Sequence, residues 1–170
     1  SRRWRMCQQH FLGKAVTAVL DDRRSGHWFA ALRHHRNGAS LYRSVDGGLH
    51  WQEENCPVFP PDTPANPDGS RPYVDTIWSL VAAGTDEPAV ILAGTIPAAL
   101  FITNDDGLSW GLVSSLWDLP ERKQWFGHGT PLPGLHSICI HPQDSNRVTV
   151  GISAGGIWQT DDGCASWHSV

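Results

Sequence analysis

Two kinds of side chain in this sequence could recognise a ligand: aromatic rings, and histidine and arginine groups that hydrogen-bond. The candidates stand in loops between apolar segments or where such a segment begins. They are His34, His35, Arg36, Thr95, Trp125, His128, His136 and Ser153. An aromatic platform flanked by polar groups is suited to a sugar ring, and a protein ligand is the alternative.

Each candidate also has a purely structural interpretation. The stretch 34–36 fits a solvated loop tip, His136 fits a buried hydrogen bond, and Trp125 fits packing under its own loop. Nine histidines raise the question of a metal. Only His34 and His35 are close in sequence, and adjacent strand residues point apart, which does not suit zinc. We predict no metal site and no cofactor.

One pattern, Ser/Thr-x-Asp-x-Gly-x-x-Trp, occurs three times and must help to position these loops. A recurrence with this period is typical of repeat proteins. The aspartate can accept backbone N–H groups, the glycine can adopt a positive φ, and the tryptophan can enter the layer beneath. We expect structural roles for Ser44, Asp46, Gly48, Trp51, Thr103, Asp105, Gly107, Trp110, Thr160, Asp162 and Trp167.

The third copy departs from the pattern, because Cys164 stands in the glycine position. If that position needs a positive φ, the substitution costs about 1 kcal/mol. The alternative is a shifted turn that uses Gly163 instead.

The pattern resembles the Asp-box, or BNR, repeat of sialidases, sortilin-type receptors and photosystem II assembly factors. From Phe11 to Trp167 the chain is similar to bacterial BNR-repeat proteins described as glycosyl hydrolases or exo-alpha-sialidases. The resemblance is carried by residues 94–98, 125–127, 136–138 and 155–158. It implies a β-propeller whose Asp-boxes lie on the rim away from the ligand.

The resemblance implies three functions. The first, which we favour, is a binding or interaction scaffold that recognises carbohydrate. The second is an exo-sialidase-like glycoside hydrolase whose catalytic set is completed by missing blades or by a second copy. The third is an assembly factor for a larger complex.

Each repeat contains short apolar segments rich in β-forming residues, separated by turn residues. In the first repeat these segments are 15–20, 27–33 and 41–43, and Trp51 opens a fourth. Four-stranded units repeated radially form a β-propeller. We therefore predict an all-β fold with three antiparallel blades, which cover residues 14–53, 76–113 and 135–170.

Two long connections separate the blades. Residues 53–75 are proline-rich, which indicates a flexible linker, whereas residues 112–134 carry more aromatic rings than a linker needs. Loops of this length in a compact domain are usually functional. Residues 118–123 could form a short helical turn.

Three blades are fewer than the four to eight of typical propellers. We expect either a homodimer with a six-bladed ring or a chain that is part of a longer propeller. Apolar residues of the end blades would then be partly exposed, namely Val16, Val19, Trp28 and Phe29 in the first blade and Val148, Val150, Ile157 and Trp158 in the third.

The topology of a propeller decides which loops share a rim. The repeated turns join the third strand of a blade to the fourth. The loops between second and third strands, together with the long connections, therefore lie on the opposite rim, where the ligand candidates gather. A rim where several loops converge on a rigid scaffold is the usual place for a ligand.

Few side chains fit a glycosidase. Sialidases use a tyrosine nucleophile and an arginine triad, but Tyr42 falls in a third strand and Tyr73 in the proline-rich connection. The sialidase motif Arg-Ile-Pro is matched only at 95–97, without its arginine. Asp75, Asp118 and Glu121 form no recognisable constellation. We predict no sialidase activity from this chain alone.

The composition excludes other classes of function. The net charge of −4 predicts no nucleic-acid partner, and no apolar run is long enough to predict a membrane span. The four cysteines lack CxxC spacing, which favours reduced thiols in a cytoplasmic protein.

Overall fold

Three antiparallel sheets make up the protein in the computed structural model, which describes residues 8–35, 37–65, 70–85, 87–127 and 129–170. Sheet 1 contains β1 (Ala15–Asp22), β2 (His27–His34), β3 (Gly38–Ser44) and β4 (Gln52–Glu54). Sheet 2 contains β5 (Thr76–Ala82), β6 (Ile91–Ile96), β7 (Leu100–Thr103) and β8 (Gly111–Leu112). Sheet 3 contains β9 (Leu135–His141), β10 (Asp144–Ile152), β11 (Gly156–Thr160) and β12 (His168–Ser169). Consecutive strands pair throughout, so the predicted all-β fold with four-stranded antiparallel blades is confirmed.

The sheets follow one another around an axis, with β1 beside β5 and β5 beside β9. Every residue of β6 is buried. Ile91 and Ala93 belong to the apolar core shared with sheet 1, and Leu92 belongs to the core shared with sheet 3. The middle sheet is thus covered on both faces, as expected for an interior repeat.

The end sheets expose fewer apolar residues than the sequence predicts. Val19 is 59% exposed, and Val16 and Ile157 are also exposed. The prediction was wrong for Phe29, which is 1% exposed, and it was also wrong for Val148, Val150 and Trp158. Side chains alternate along a strand, and these four face sheet 2, where they join the two cores. The homodimer and the longer ring remain predictions.

The proline-rich connection is not a flexible linker where the structure describes it. The Phe59 ring lies 5.2 Å from Phe101 and 4.6 Å from Trp117, and Pro57 is buried. These contacts dock a segment whose prolines already limit its unfolded conformations.

The second connection forms α1 (Ser114–Trp117) and a 3₁₀ helix (Pro120–Gln124), which overlaps the predicted helical turn. Leu116 and Trp117 are buried. The guanidinium of Arg122 lies 3.2 Å from the centre of the Trp117 ring. Burial lowers the pKa of Arg122 to about 10, against a smaller opposing effect of Asp118.

The three repeated turns share one hydrogen-bond network. In the second turn, Thr103 Oγ1 accepts the Gly107 N–H at 3.0 Å and donates to Asp105 at 2.7 Å. Asp105 also accepts the Ser109 N–H at 2.8 Å and the Ser109 hydroxyl at 2.5 Å. Equivalent bonds occur from Thr160 to Ser166 and from Ser44 to His50, where the His50 imidazole takes the place of the serine hydroxyl. Each aspartate therefore accepts at least three hydrogen bonds within its own turn.

Cys164 adopts the conformation that glycine has in the other two copies. Its φ is 72°, against 87° at Gly48 and 85° at Gly107. A Cβ at Gly107 would lie 3.0 Å from the Phe29 ring. In the register of the sheets, Leu92 occupies the place of Phe29, and Cys164 packs in the same core as this smaller residue. The turn does not shift, because the neighbouring sheet leaves room for the thiol.

The turns between first and second strands lie on the same rim as the repeated turns. Asp106 N–H donates to Ala89 O, and Gly163 N–H donates to Asn146 O, each at 3.0 Å. On this rim, the Arg24 guanidinium donates to the buried Asp22 carboxylate. Four carbonyls of the turn between β5 and β6 also accept from Arg24, those of Ala83, Gly84, Glu87 and Val90. We call the side that carries the repeated turns and the turns between first and second strands the turn rim. The opposite side is called the loop rim.

Candidate functional site

The loop rim contains a cavity of about 510 Å³ where sheets 1 and 2 meet. Its walls combine aromatic and apolar side chains with one ion pair. We call it the aromatic pocket and define it by Arg33, Tyr73, Asp75, Trp78, Ile96 and Leu132. A concave, mainly apolar site with a few placed polar groups is typical of ligand binding.

The ion pair joins Arg33, the penultimate residue of β2, to Asp75, the residue before β5. Arg33 Nε donates to Asp75 Oδ2 at 2.8 Å and Nη2 donates to Oδ1 at 3.1 Å, a bidentate arrangement. The Thr76 hydroxyl donates to Asp75 Oδ2 at 2.8 Å. The Asp75 N–H donates to Ile96 O at 2.9 Å, which fixes the backbone.

The charge of the carboxylate follows from these contacts. Burial would raise the pKa of Asp75, but the hydrogen bonds from Arg33 and Thr76 outweigh it and hold the pKa below its usual value. The hydrogen bond to Asp75 also raises the pKa of Arg33. Both groups are therefore ionised at neutral pH, and their charges cancel.

Trp78 forms one wall because it lies at a β-bulge. Residues 77 and 79 pair with 95 and 94, so Trp78 has no partner across β5 and β6. Trp78 is 37% exposed, and its ring makes an edge contact with His136, with ring centres 6.0 Å apart. A Cβ at Gly134 would lie 2.5 Å from the indole, so only glycine lets the ring lie where it does.

The bulge recurs at the same register in every sheet, but with different side chains. Thr17 holds it in β1 and His136 holds it in β9. The Thr17 hydroxyl donates to Ile77 O at 2.7 Å and so joins sheet 1 to sheet 2. The repeat thus supplies the same backbone position in each sheet. The residue at that position determines whether it joins two sheets or lines the pocket.

Tyr73 forms the outer wall and is 61% exposed. The segment that carries it is held by β3, because the Ala39 N–H donates to Val74 O at 2.9 Å. A Cβ at Gly38 would lie 2.5 Å from Val74 O. The close approach of these two segments therefore depends on glycine.

The structure brings only part of the predicted site together. His136 touches Trp78, and the exposed His35 acts on the Asp75 carboxylate and helps to lower its pKa. The Ser153 N–H donates to Gly134 O at 2.9 Å, beside the pocket. Arg36 and His128 lie outside the described residues.

Three other predicted residues make contacts with their immediate neighbours and not with the pocket. Thr95 is fully buried and donates to Pro97 O at 2.7 Å. His34 Nε2 lies 2.9 Å from the Ser40 hydroxyl. Trp125 is buried with its ring centre 5.8 Å from Trp158, which matches its structural interpretation. We leave these three out of the pocket.

Sequence reasoning missed Arg33, Trp78, Tyr73 and Asp75 as site residues. Arg33 ends an apolar strand, and Asp75 opens the next sheet, so a charge at each strand end was the available signal. No pattern in the sequence marks the bulge that turns Trp78 outward.

Other kinds of site are not evident in the part of the chain that the structure describes. No group of three or more His, Cys, Asp or Glu side chains there could hold a metal ion. No helix among the described residues is long and apolar enough to cross a membrane.

Known β-propeller structures share this fold. YCF48 from Cyanidioschyzon merolae matches 90% of this chain with a TM-score of 0.53 and 16% identity. The GH74 enzyme of Niastella koreensis matches 92% with a TM-score of 0.57 and 15% identity. The GH74 xyloglucanase of Xanthomonas campestris matches 89% with a TM-score of 0.53 and 22% identity.

These likenesses establish the fold alone. This chain spans 39% of the YCF48 chain and 22% and 21% of the two GH74 chains. No protein-family model matches the sequence, and no curated protein matches it.

Proposed function

We propose that this chain is a binding scaffold of the BNR, or Asp-box, type of β-propeller, and that the aromatic pocket binds a carbohydrate. The observation that carries the proposal is the exposure of the Tyr73 and Trp78 rings beside the Arg33–Asp75 ion pair. A sugar ring has apolar C–H faces and polar edges. The pocket offers both kinds of partner.

The repeated turns support the Asp-box assignment and a structural role for it. Their carboxylates accept hydrogen bonds from their own backbone and side chains. These carboxylates are used to close their own turns, and they lie on the turn rim, opposite the aromatic pocket. Recognition therefore falls to the loop rim.

Binding is favoured over hydrolysis by the carboxylates of the pocket. Glycosidases generally need a pair of carboxyl groups, one of them protonated as the acid. Asp75 is the carboxylate among the described residues that line the pocket, and its lowered pKa keeps it ionised. A single carboxylate that is ionised and bound to an arginine cannot act as the protonated acid of a glycosidase.

A glycan array followed by titration calorimetry tests the proposal. Trp78→Ala and Tyr73→Ala should each weaken binding of the best glycan about tenfold, which corresponds to about 1.4 kcal/mol. Phe126→Ala is the matched control, because Phe126 is 62% exposed and does not line the pocket. Its affinity should equal that of the unmodified chain.

Two results would redirect the proposal. A chain that binds no glycan but retains a proline-rich or other peptide through Trp78 would instead be a protein-binding scaffold, as the assembly-factor alternative requires. Turnover of a fluorogenic glycoside that is lost in Asp75→Asn would make the chain an enzyme.

A further inference from the structure

We infer that the Arg33–Asp75 ion pair makes the aromatic pocket selective for neutral sugar rings over acidic ones. The inference rests on the proposed function and adds the class of sugar. Arg33 and Asp75 are the charged side chains among the described residues that line the pocket, and they are paired with one another.

Among the described residues that line the pocket, Arg33 is the cation, and a ligand carboxylate would find it already paired with Asp75. Acidic sugars are best bound by a guanidinium that can offer two parallel N–H groups. Arg33 already directs Nε and Nη2 to Asp75, at 2.8 and 3.1 Å. A sugar carboxylate would have to displace Asp75, or lie beside it and repel it.

A neutral ring meets no such penalty. The Asp75 oxygens keep lone pairs for sugar hydroxyls, and the N–H groups of Arg33 that do not face Asp75 can donate to ring or hydroxyl oxygens. The C–H face of the sugar would lie on Trp78, whose indole is held in place by Gly134 and His136. Each hydroxyl can thus be satisfied without breaking the ion pair.

The surroundings of the pair fix the Asp75 carboxylate. Thr76 is buried and donates to Asp75 Oδ2, and the Asp75 backbone is bonded to β6. Arg33, whose side chain is 42% exposed, is bonded to this fixed carboxylate through Nε and Nη2. An anionic sugar would have to break both of these hydrogen bonds in order to take the guanidinium.

Matched pairs of ligands test the inference. Titration calorimetry would compare methyl β-glucoside with methyl β-glucuronide, and lactose with sialyllactose. We expect the unmodified chain to bind the neutral member of a pair at least about tenfold more tightly, which corresponds to about 1.4 kcal/mol.

Two variants each remove one charge of the pair, and they should change the preference for neutral sugars in opposite directions. Asp75→Asn frees Arg33, so the preference for the neutral member should disappear or invert. Arg33→Gln leaves Asp75 as the charged group, so acidic sugars should bind still more weakly and methyl glucosaminide, a cationic sugar, should gain about tenfold. Thermal melting establishes that each variant is folded, and if one variant fails to fold the other decides.

The exposed pair Arg147–Asp161, on the turn rim, provides the control, with Nε and Oδ1 3.0 Å apart. Asp161→Asn should leave every preference unchanged. An unmodified chain that prefers the acidic member overturns the inference, as does a folded charge variant with an unaltered preference. Binding of no sugar at all overturns the proposed function, and the inference with it.

Discussion

The turn rim and the loop rim use aspartate in opposite ways. On the turn rim, Asp105 accepts bonds from Thr103 and Ser109 of its own turn, and the other two copies do the same. On the loop rim, Asp75 is paired with Arg33 across two sheets and stands beside exposed aromatic rings. The first arrangement closes a turn, and the second leaves polar and apolar surface for a ligand.

The difference shows that repetition and function separate in this fold. Residues that recur in all three sheets satisfy one another locally, which is what a repeat needs in order to fold. Residues such as Tyr73 and Arg33 have no counterpart in the repeated pattern, so the corresponding positions can hold other residues in the other sheets. The bulge shows both properties. Its position recurs in all three sheets, but the residue at that position differs, being Thr17, Trp78 or His136.

The largest expected effect concerns the buried pair on the turn rim. Arg24→Met should lower the free energy of unfolding by about 3–5 kcal/mol, because it leaves the Asp22 carboxylate buried without its partner. The side chain of Asp22 has no exposed surface, and that of Arg24 is 12% exposed. Urea denaturation measures the change.

The control for this prediction is Arg147→Met on the same rim. Arg147 and Asp161 are both about half exposed, so the change should stay below about 1 kcal/mol. Equal effects of the two substitutions would contradict the view that Arg24 joins sheets 1 and 2.

A smaller effect is expected where the copies of the turn differ. Gly107→Cys should cost about 1–3 kcal/mol, because the new Cβ would lie 3.0 Å from the Phe29 ring and overpack the core. Adding Phe29→Leu reproduces the Leu92 and Cys164 pair of the next sheet. The two substitutions should therefore be coupled by about 1 kcal/mol in a double-mutant cycle. Strict additivity would show that sheet 3 tolerates Cys164 for another reason.

Acid should weaken the turn rim through the repeated carboxylates. Hydrogen bonds from Ser109 and then Thr103 lower the pKa of Asp105 to about 2. The pKa of Asp46 and that of Asp162 are also lowered, chiefly by bonds from His50 and Ser166. A lowered folded-state pKa gives stability that is complete above about pH 4 and is lost as the pH falls toward 2.

Thermal melting between pH 6 and pH 2 checks this prediction. Asp105→Asn should lower the melting temperature at pH 6 and reduce its further fall in acid. A melting temperature that is independent of pH over this range would mean that the turn carboxylates do not titrate with folding.

Much of the fold was predictable because its signals are local. The three turns and the alternation of apolar residues placed the four strands of sheet 1 within a few residues, and Cys164 was visible as a departure. The anchoring of Phe59 was not predictable, because it depends on Phe101 and Trp117, which are distant in sequence. The burial of Phe29 depends in the same way on which face meets sheet 2.

The site was harder to predict than the fold. Loop composition drew attention to Thr95 and Trp125, yet their groups are used locally. The pocket instead depends on a bulge at Trp78 and on an ion pair between residues 33 and 75. Such pairings follow from register and sheet packing, which single residues do not reveal.

The smallest effect on stability, and the sharpest test of the comparison, is expected on the loop rim. Tyr73→Ala removes a ring that is 61% exposed, so the free energy of unfolding should change by no more than about 0.5 kcal/mol. Glycan affinity should nevertheless fall about tenfold, because the outer wall of the pocket is lost. Urea denaturation and calorimetry on the same sample measure the two quantities.

Asp105→Asn should give the reverse result, with lower stability and unchanged affinity. A loss of stability in Tyr73→Ala as large as that in Asp105→Asn would make Tyr73 part of the scaffold, and the division of labour between the two rims would fail.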